Sequence, residues 1–204
     1  PHTSPRPPAT TGGGSKTVTA RECELEHPLP ERKRDDDLEA LPRDLPGPGT
    51  ASSTRQQQPL GLGHAVWCAR ELVGHEPFAL LLPDVLVQHE RGCLAQMIDA
   101  ARGLPENPNI IAVEEVPADR VHMYGVVGVG KRQGKLFELT QMVEKPDRAT
   151  APSNLIITGR YILQPEIFDV LAAEKRGAGG EIQLTDAMIE LSRSQPFYGL
   201  EFEA

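Results

Sequence analysis

In the stretch Phe78-Ala-Leu-Leu-Leu-Pro-Asp-Val-Leu-Val87 a short apolar run is broken by Pro83-Asp84 and then resumes. A run of this length ending at a breaker reads as a strand buried on both faces. A strand buried on both faces does not hold an unpaired carboxylate, because burying a bare charge is costly. Asp84 is therefore expected just past the carboxyl end of the strand. In open α/β sheets that is the edge where ligands bind. Pro-Asp is also a common turn opening, so a turn without a site is the alternative reading.

The flanking segments set the architecture. On the amino-terminal side, Ala65-Val-Trp-Cys-Ala-Arg-Glu-Leu-Val73 has helical character and Gly74 is a usual helix terminator. On the other side, Leu94, Met97 and Ile98 mark a helix with one apolar face, and Asn109-Ile-Ile-Ala-Val-Glu-Glu115 reads as a second buried strand. Helix, strand, helix, strand with short links predicts βαβ units and a parallel sheet. Further strands are expected at Val121–Val129, Leu136–Glu144 and Leu155–Leu163, the first two joined by a hairpin loop through Gly130–Gly134. Pro165 opens a helix, a last helix runs to about Ser192, and Pro196–Phe202 begins a final strand.

Outward from this core the composition changes. Residues 1–53 read as a low-complexity, charged and largely disordered segment, and residues 54–204 as the folded domain. Nine of the 19 prolines fall within residues 1–57, where large apolar side chains are sparse. Leu38, Leu41 and Leu45 recur at helical spacing, but Pro42 interrupts them. A net charge of −8 argues against a nucleic-acid platform. No apolar stretch approaches the roughly 18 to 20 residues that span a bilayer. Three distant cysteines, Cys23, Cys68 and Cys93, suit neither a disulfide framework nor a metal knuckle, so a reducing cytoplasm is the expected setting.

Four loops carry candidate chemistry. Gln56–Gly63 contains Gly61-Leu-Gly63, glycines that let a flat ligand approach the backbone or simply make a tight turn into a helix. Asp84 suits Mg²⁺, which takes one or two carboxylates plus substrate phosphates. Gly125, after Tyr124, marks a close backbone approach or a plain bulge. Glu144-Lys145 before Pro146 places a hydrogen-bond acceptor beside a cation, fit for sugar hydroxyls and phosphate or for a surface ion pair.

Taken in order, these pieces resemble bacterial UTP–glucose-1-phosphate uridylyltransferases. The resemblance is carried by Gln-x-x-x-x-Gly-Leu-Gly-His-Ala from Gln56, Leu-Leu-Pro-Asp to Asp84, Val-Glu-Lys-Pro to Pro146, Ala-Pro-Ser-Asn-Leu with Gly159-Arg-Tyr-Ile-Leu163, and Gly180-Glu-Ile-Gln-Leu-Thr-Asp186. It runs from about residue 54 to 202, and more faintly through Glu24–His27 and Asp36–Leu41. It implies a glycosyltransferase-A-like nucleotidyltransferase: an α/β fold whose mixed, mostly parallel sheet is flanked by helices. The implied reaction converts UTP and glucose 1-phosphate to UDP-glucose and pyrophosphate. By the same resemblance Gln56 and the Gly61 backbone hold uracil, Asp84 binds Mg²⁺, Gly125 and Glu144 hold glucose, and Lys145 contacts the sugar phosphate. The implied partners are these small molecules, with neither nucleic acid nor membrane, and a homo-oligomer is compatible with it.

The family pattern is not matched throughout. Its opening strand and Gly-x-Gly-Thr-Arg loop, which cradle the triphosphate, have no counterpart in residues 1–55. Gly12-Gly-Gly-Ser-Lys16 lacks a preceding apolar strand. The chain ends at Ala204, before an expected metal-binding Asp. The expectations are a partial domain, incomplete at its first strand, with impaired uridylyl transfer. The alternatives are a non-catalytic remnant that binds nucleotide sugar or a partner, and a nucleotidyltransferase for another nucleotide or sugar phosphate.

Overall fold

Along Asn109–Glu115 every residue from Asn109 to Val113 is buried, and the side chains divide between two cores. Ile111 and Val113 join one apolar cluster, and Ile110 and Ala112 join another. Side chains alternate across a strand, so this one lies in the middle of a sheet covered on both faces. The computed structural model describes residues 50–105, 107–173 and 175–204. Within it, Gln56–Ala204 forms one compact unit. The expectations for the proline-rich opening, for Leu38, Leu41 and Leu45, and for Gly12–Lys16 lie outside the described residues.

Among the described residues the six strands are β1 (Phe78–Leu81), β2 (Asn109–Glu115), β3 (Gly125–Gln133), β4 (Leu136–Glu144), β5 (Leu155–Leu163) and β6 (Phe197–Glu201). The helices are α1 (Leu62–Trp67), α2 (Arg70–Val73), α3 (Cys93–Ala101), α4 (Ile167–Leu171) and α5 (Leu184–Leu191). The single helix expected over 65–73 is thus two, with a break at Cys68–Ala69, and it stops at Gly74 with φ 74° as a glycine terminator allows. One face of the sheet packs Cys93 and Met97 of α3 against Ile110, Tyr198 and Leu200. The other packs α1, α4 and α5 against Ile111, Phe137 and Leu163. Ile98, expected on the buried face of α3, is exposed.

The sheet runs β1-β5-β2-β6-β4-β3, with a further contact between β3 and β5. It is mixed and flanked by helices as expected, but it is not mostly parallel. Of the six pairings among the described residues, only β2–β6 is parallel. The reason is β5. It pairs antiparallel with β1 on one side and β2 on the other, so β1 and β2 share a direction without being neighbours. The βαβ order therefore encloses an antiparallel strand supplied much later in the chain.

One side of β5 is occupied by β2 along its length. The other is shared: Arg160–Leu163 pair with β1, and Ile156 pairs with Val126 at the start of β3. Gly159 lies between these two pairings, at φ 73°, where its carbonyl accepts the Leu82 N–H at 2.9 Å. A Cβ at Gly159 would meet Leu82 side-chain atoms at 2.9 and 3.1 Å. Both the left-handed backbone and the closeness of Leu82 require glycine. Gly159→Ala is expected to cost about 2–4 kcal/mol from backbone strain and overpacking, read as a lowered urea midpoint. A change below about 0.5 kcal/mol, the scale of an inert surface substitution, would contradict this assignment.

Candidate active site

After β1 ends at Leu81, Pro83 and Asp84 form a turn, and the Asp84 carboxylate is exposed. Both Asp84 readings therefore describe the geometry: it is a turn residue and it lies beyond a strand end at the sheet edge. The turn is gripped from behind. Arg160 is only 8% exposed, and its guanidinium donates to the carbonyls of Leu82 and Val85, which flank Pro83-Asp84, and to Gly159 O at 3.0 Å. Among the described residues its hydrogen-bond partners are neutral carbonyls. A buried cation held this way fixes the chain on both sides of Asp84. The sequence reading gave Arg160 no role, although a cation inside an apolar strand is a visible anomaly.

Gly125 and Glu144 face each other across the β3–β4 pairing. A Cβ on Gly125 would lie 3.0 Å from Ile157 Cδ1 and 3.3 Å from Glu144 Oε2, so a side chain there would crowd that carboxylate. The Thr185 hydroxyl, from the first turn of α5, donates to Glu144 Oε2 at 2.9 Å. Lys145 follows at φ 46°, an uncommon backbone for a residue with a side chain, and its N–H donates to Tyr124 O at 3.0 Å. Its ammonium stands 3.9 Å from Glu144 Oε1 and its side chain is 61% exposed. The Glu-Lys pair is thus a loose ion pair whose cation remains open to solvent.

Tyr161 lies in β5 between Leu80 of β1 and Ile111 of β2. It is buried, and its hydroxyl makes no hydrogen bond with a described residue. Burial first, then the negative charges of Glu144 and Asp84, holds its phenol well above the ordinary tyrosine value.

The glycine-rich loop joins the same region from another direction. The Ile182 N–H donates to Leu60 O at 2.7 Å, and Gly63 N–H donates to Ile182 O at 2.8 Å. A Cβ at Gly61 would meet Glu181 Cβ and Ile182 O at 2.8 Å, and one at Gly63 would meet Ile182 O at 2.7 Å. The space left by these two missing side chains is therefore taken by the backbone of 181–182, not left for a ligand. What the loop does present is the Gly61 N–H, unbonded to any described residue. Gly61 O accepts from Ala65 N and from the Gln56 side-chain amide. Ile182 lies three residues before Thr185, so one short segment ties Gln56 and Gly61 to Glu144.

Five of the six expected residues thus lie on one connected set of contacts, which leads from Gln56 and Gly61 through Ile182 and Thr185 to Gly125, Glu144 and Lys145. The sixth, Asp84, lies on the turn that Arg160 of β5 holds by its flanking carbonyls. Sequence reasoning quoted Gly180–Asp186 but gave it no contact to make. It did not single out Tyr161.

A mixed α/β sheet that gathers glycine, carboxylate and lysine loops beyond its strand ends has the architecture of the nucleotide-binding α/β class. The family model described as Nucleotidyl transferase matches residues 41–204, and the chain belongs to that family. It is 43% identical over 180 residues to a UTP–glucose-1-phosphate uridylyltransferase of Komagataeibacter xylinus, covering 88% of this chain and 63% of that protein. Among solved structures it resembles a UDP-glucose pyrophosphorylase complexed with UDP-glucose at 34% identity and TM-score 0.71, covering 89% of this chain and 65% of the other. It also resembles a UTP-bound UGPase from Acinetobacter baumannii at 37% identity and TM-score 0.70, covering 90% and 64%. These relatives bear out the resemblance read from the sequence. The chain spans just under two thirds of the length of each.

The Tyr161 environment has a measurable consequence. The unfolded phenol ionises near pH 10, whereas the folded one is held protonated above that. The stability it contributes is fully present below about pH 10 and is lost as pH rises toward the folded value. Tyr161→Phe should make the fall in stability above about pH 10 shallower, by up to about 1.4 kcal/mol per pH unit. Urea denaturation at stepped alkaline pH reads this, and parallel curves for the two proteins would refute it.

Proposed function

We propose that this chain carries the site of a UTP–glucose-1-phosphate uridylyltransferase, which joins UTP and glucose 1-phosphate into UDP-glucose and releases pyrophosphate. The observation that carries the reading is the contact path from Gln56 and Gly61 through Ile182 and Thr185 to Glu144, beside the Asp84 turn that Arg160 holds. Uracil lies against Gln56 and the Gly61 N–H. Glucose lies over Gly125, its hydroxyls donating to Glu144, whose carboxylate Thr185 holds from behind. The solvent-facing Lys145 ammonium meets the sugar phosphate. A phosphate oxygen of glucose 1-phosphate attacks the α-phosphorus of UTP. The new O–P bond forms as the bond to the β-phosphate oxygen breaks, and pyrophosphate departs with that electron pair. No covalent protein group is required, because positioning and charge stabilisation supply the rate.

Mg²⁺ fits the donors present. Asp84 offers an exposed carboxylate with no hydrogen bond to a described residue, and Arg160 fixes the turn that carries it. No group of three or more His, Cys, Asp or Glu among the described residues would form a cage made of protein alone. That matches an ion that takes one or two carboxylates and completes its shell with phosphate and water. When bound, it neutralises phosphate charge at the reacting phosphorus.

Among the described residues no helix is long and apolar enough to cross a membrane. Cys68 and Cys93 are free thiols, which supports a reducing, cytoplasmic setting.

Pyrophosphate release from UTP, glucose 1-phosphate and Mg²⁺ tests the reaction. Asp84→Asn should lower turnover by about 100-fold or more, the scale of losing a main charge-stabilising group, while UDP-glucose still binds. Glu144→Gln should weaken UDP-glucose by about tenfold, roughly one charged hydrogen bond, and leave UTP affinity unchanged. Full activity of Asp84→Asn would refute the metal role. UDP-glucose binding without turnover would leave a binding remnant, and no UDP-glucose binding would overturn the assignment.

A further inference from the structure

We infer that His64 is a positioning residue for base selection: it locks the Gln56 side-chain amide so that only its oxygen faces a bound base. This rests on the uridylyl reading above. The Gln56 amide nitrogen lies 3.0 Å from Gly61 O and 2.8 Å from His64 Nδ1. A carbonyl oxygen only accepts, so the atom beside Gly61 O must be the NH₂ group. Its second hydrogen then points at His64 Nδ1, which must accept, and the ring proton of the neutral imidazole sits on Nε2. Among the described residues, Cys68 Sγ also lies 3.7 Å from His64 Nδ1, and as a weak donor and a weak acceptor it is compatible with either tautomer. The ring is held in place by Trp67, 5.7 Å away between centroids, and Trp67 carries the Arg70 guanidinium 3.8 Å above its own ring.

Both amide hydrogens are thereby spent. Gln56 Oε1 and the Gly61 N–H, neither bonded to a described residue, are the free acceptor and donor of the loop. A pyrimidine placed with O2 against the Gly61 N–H sets its N3 against Gln56 Oε1. Uracil has a hydrogen on N3 and satisfies the oxygen. Cytosine has a lone pair there and opposes it. If the amide were free to turn over, its NH₂ would serve cytosine equally well, so discrimination depends on what prevents the turn. Gly61 O and His64 Nδ1 together do so, since a flipped amide would set its oxygen against two acceptors.

Two readouts test this. First, ¹⁵N NMR of the His64 ring at about pH 8, where an ordinary imidazole is neutral, should show the proton on Nε2. A proton on Nδ1 would overturn the lock. Second, calorimetric titration should compare UDP-glucose with CDP-glucose. His64→Leu removes the acceptor and should reduce the preference for UDP-glucose by about tenfold, the scale of one hydrogen bond. His64→Asn can place its amide oxygen where Nδ1 stood and should keep the preference. An unchanged preference in His64→Leu, or an equal loss in both variants, would refute the role of His64 alone. Failure of the unaltered protein to bind UDP-glucose would instead refute the uridylyl reading and base selection with it, with the NMR tautomer still deciding the amide lock.

Discussion

Everything at the candidate site depends on β5 running antiparallel between β1 and β2 while lending its outer side to both β1 and β3. A strand has two hydrogen-bonding sides. With β2 filling one, the other is divided between Arg160–Leu163 and Ile156. The turn carrying Asp84 and the strand carrying Gly125 therefore sit a few residues apart along a single rigid element. Gly159 stands between them because Leu82 passes too close for any side chain. Arg160 then converts that proximity into a fixed turn by holding the carbonyls of Leu82 and Val85. Placing ligand-facing loops on such a rigid strand gives them a defined separation.

The base-facing loop reaches the same place through a different device. Ile182 exchanges two backbone hydrogen bonds with Leu60 and Gly63, much as in a short strand pairing. Glycine at 61 and 63 is needed for this approach, and Gly61 also adopts φ 102°. Thr185 sits one turn further on and braces Glu144. Base-facing and sugar-facing groups are thus held in register by one segment, Gly180–Asp186. That segment serves backbone pairing at Ile182 and carboxylate support at Thr185.

Much of this was legible in the chain. The apolar runs at 109–115 and 155–163 gave their strands to the residue, because a strand buried on both faces has no polar alternation to blur its ends. Asp84 declared itself by breaking such a run. Strand direction was not legible: an apolar run reads the same in either direction, and nothing in 78–115 shows that residues 155–163 will insert between β1 and β2. The same non-locality hid Ile182, whose partners lie about 120 residues earlier in the chain. The glycines of 61–63 were visible, but their reason was not, since a glycine marks a close approach without naming what approaches. His64 lay inside a quoted motif, yet its hydrogen-bonded partner is a side chain eight residues away whose amide orientation only geometry fixes.

The central claim is that the glycine-rich loop, the Gly125–Glu144 pair and the Asp84 turn form one site. The most direct measurement is a crystal structure of the protein with UDP-glucose. The expected result is one ligand with uracil against Gln56 and the Gly61 N–H, glucose over Gly125 within hydrogen-bond distance of Glu144, and the diphosphate on the side of Lys145 and Asp84. A ligand bound away from these residues, or one that reaches only one of the first two groups, would contradict it.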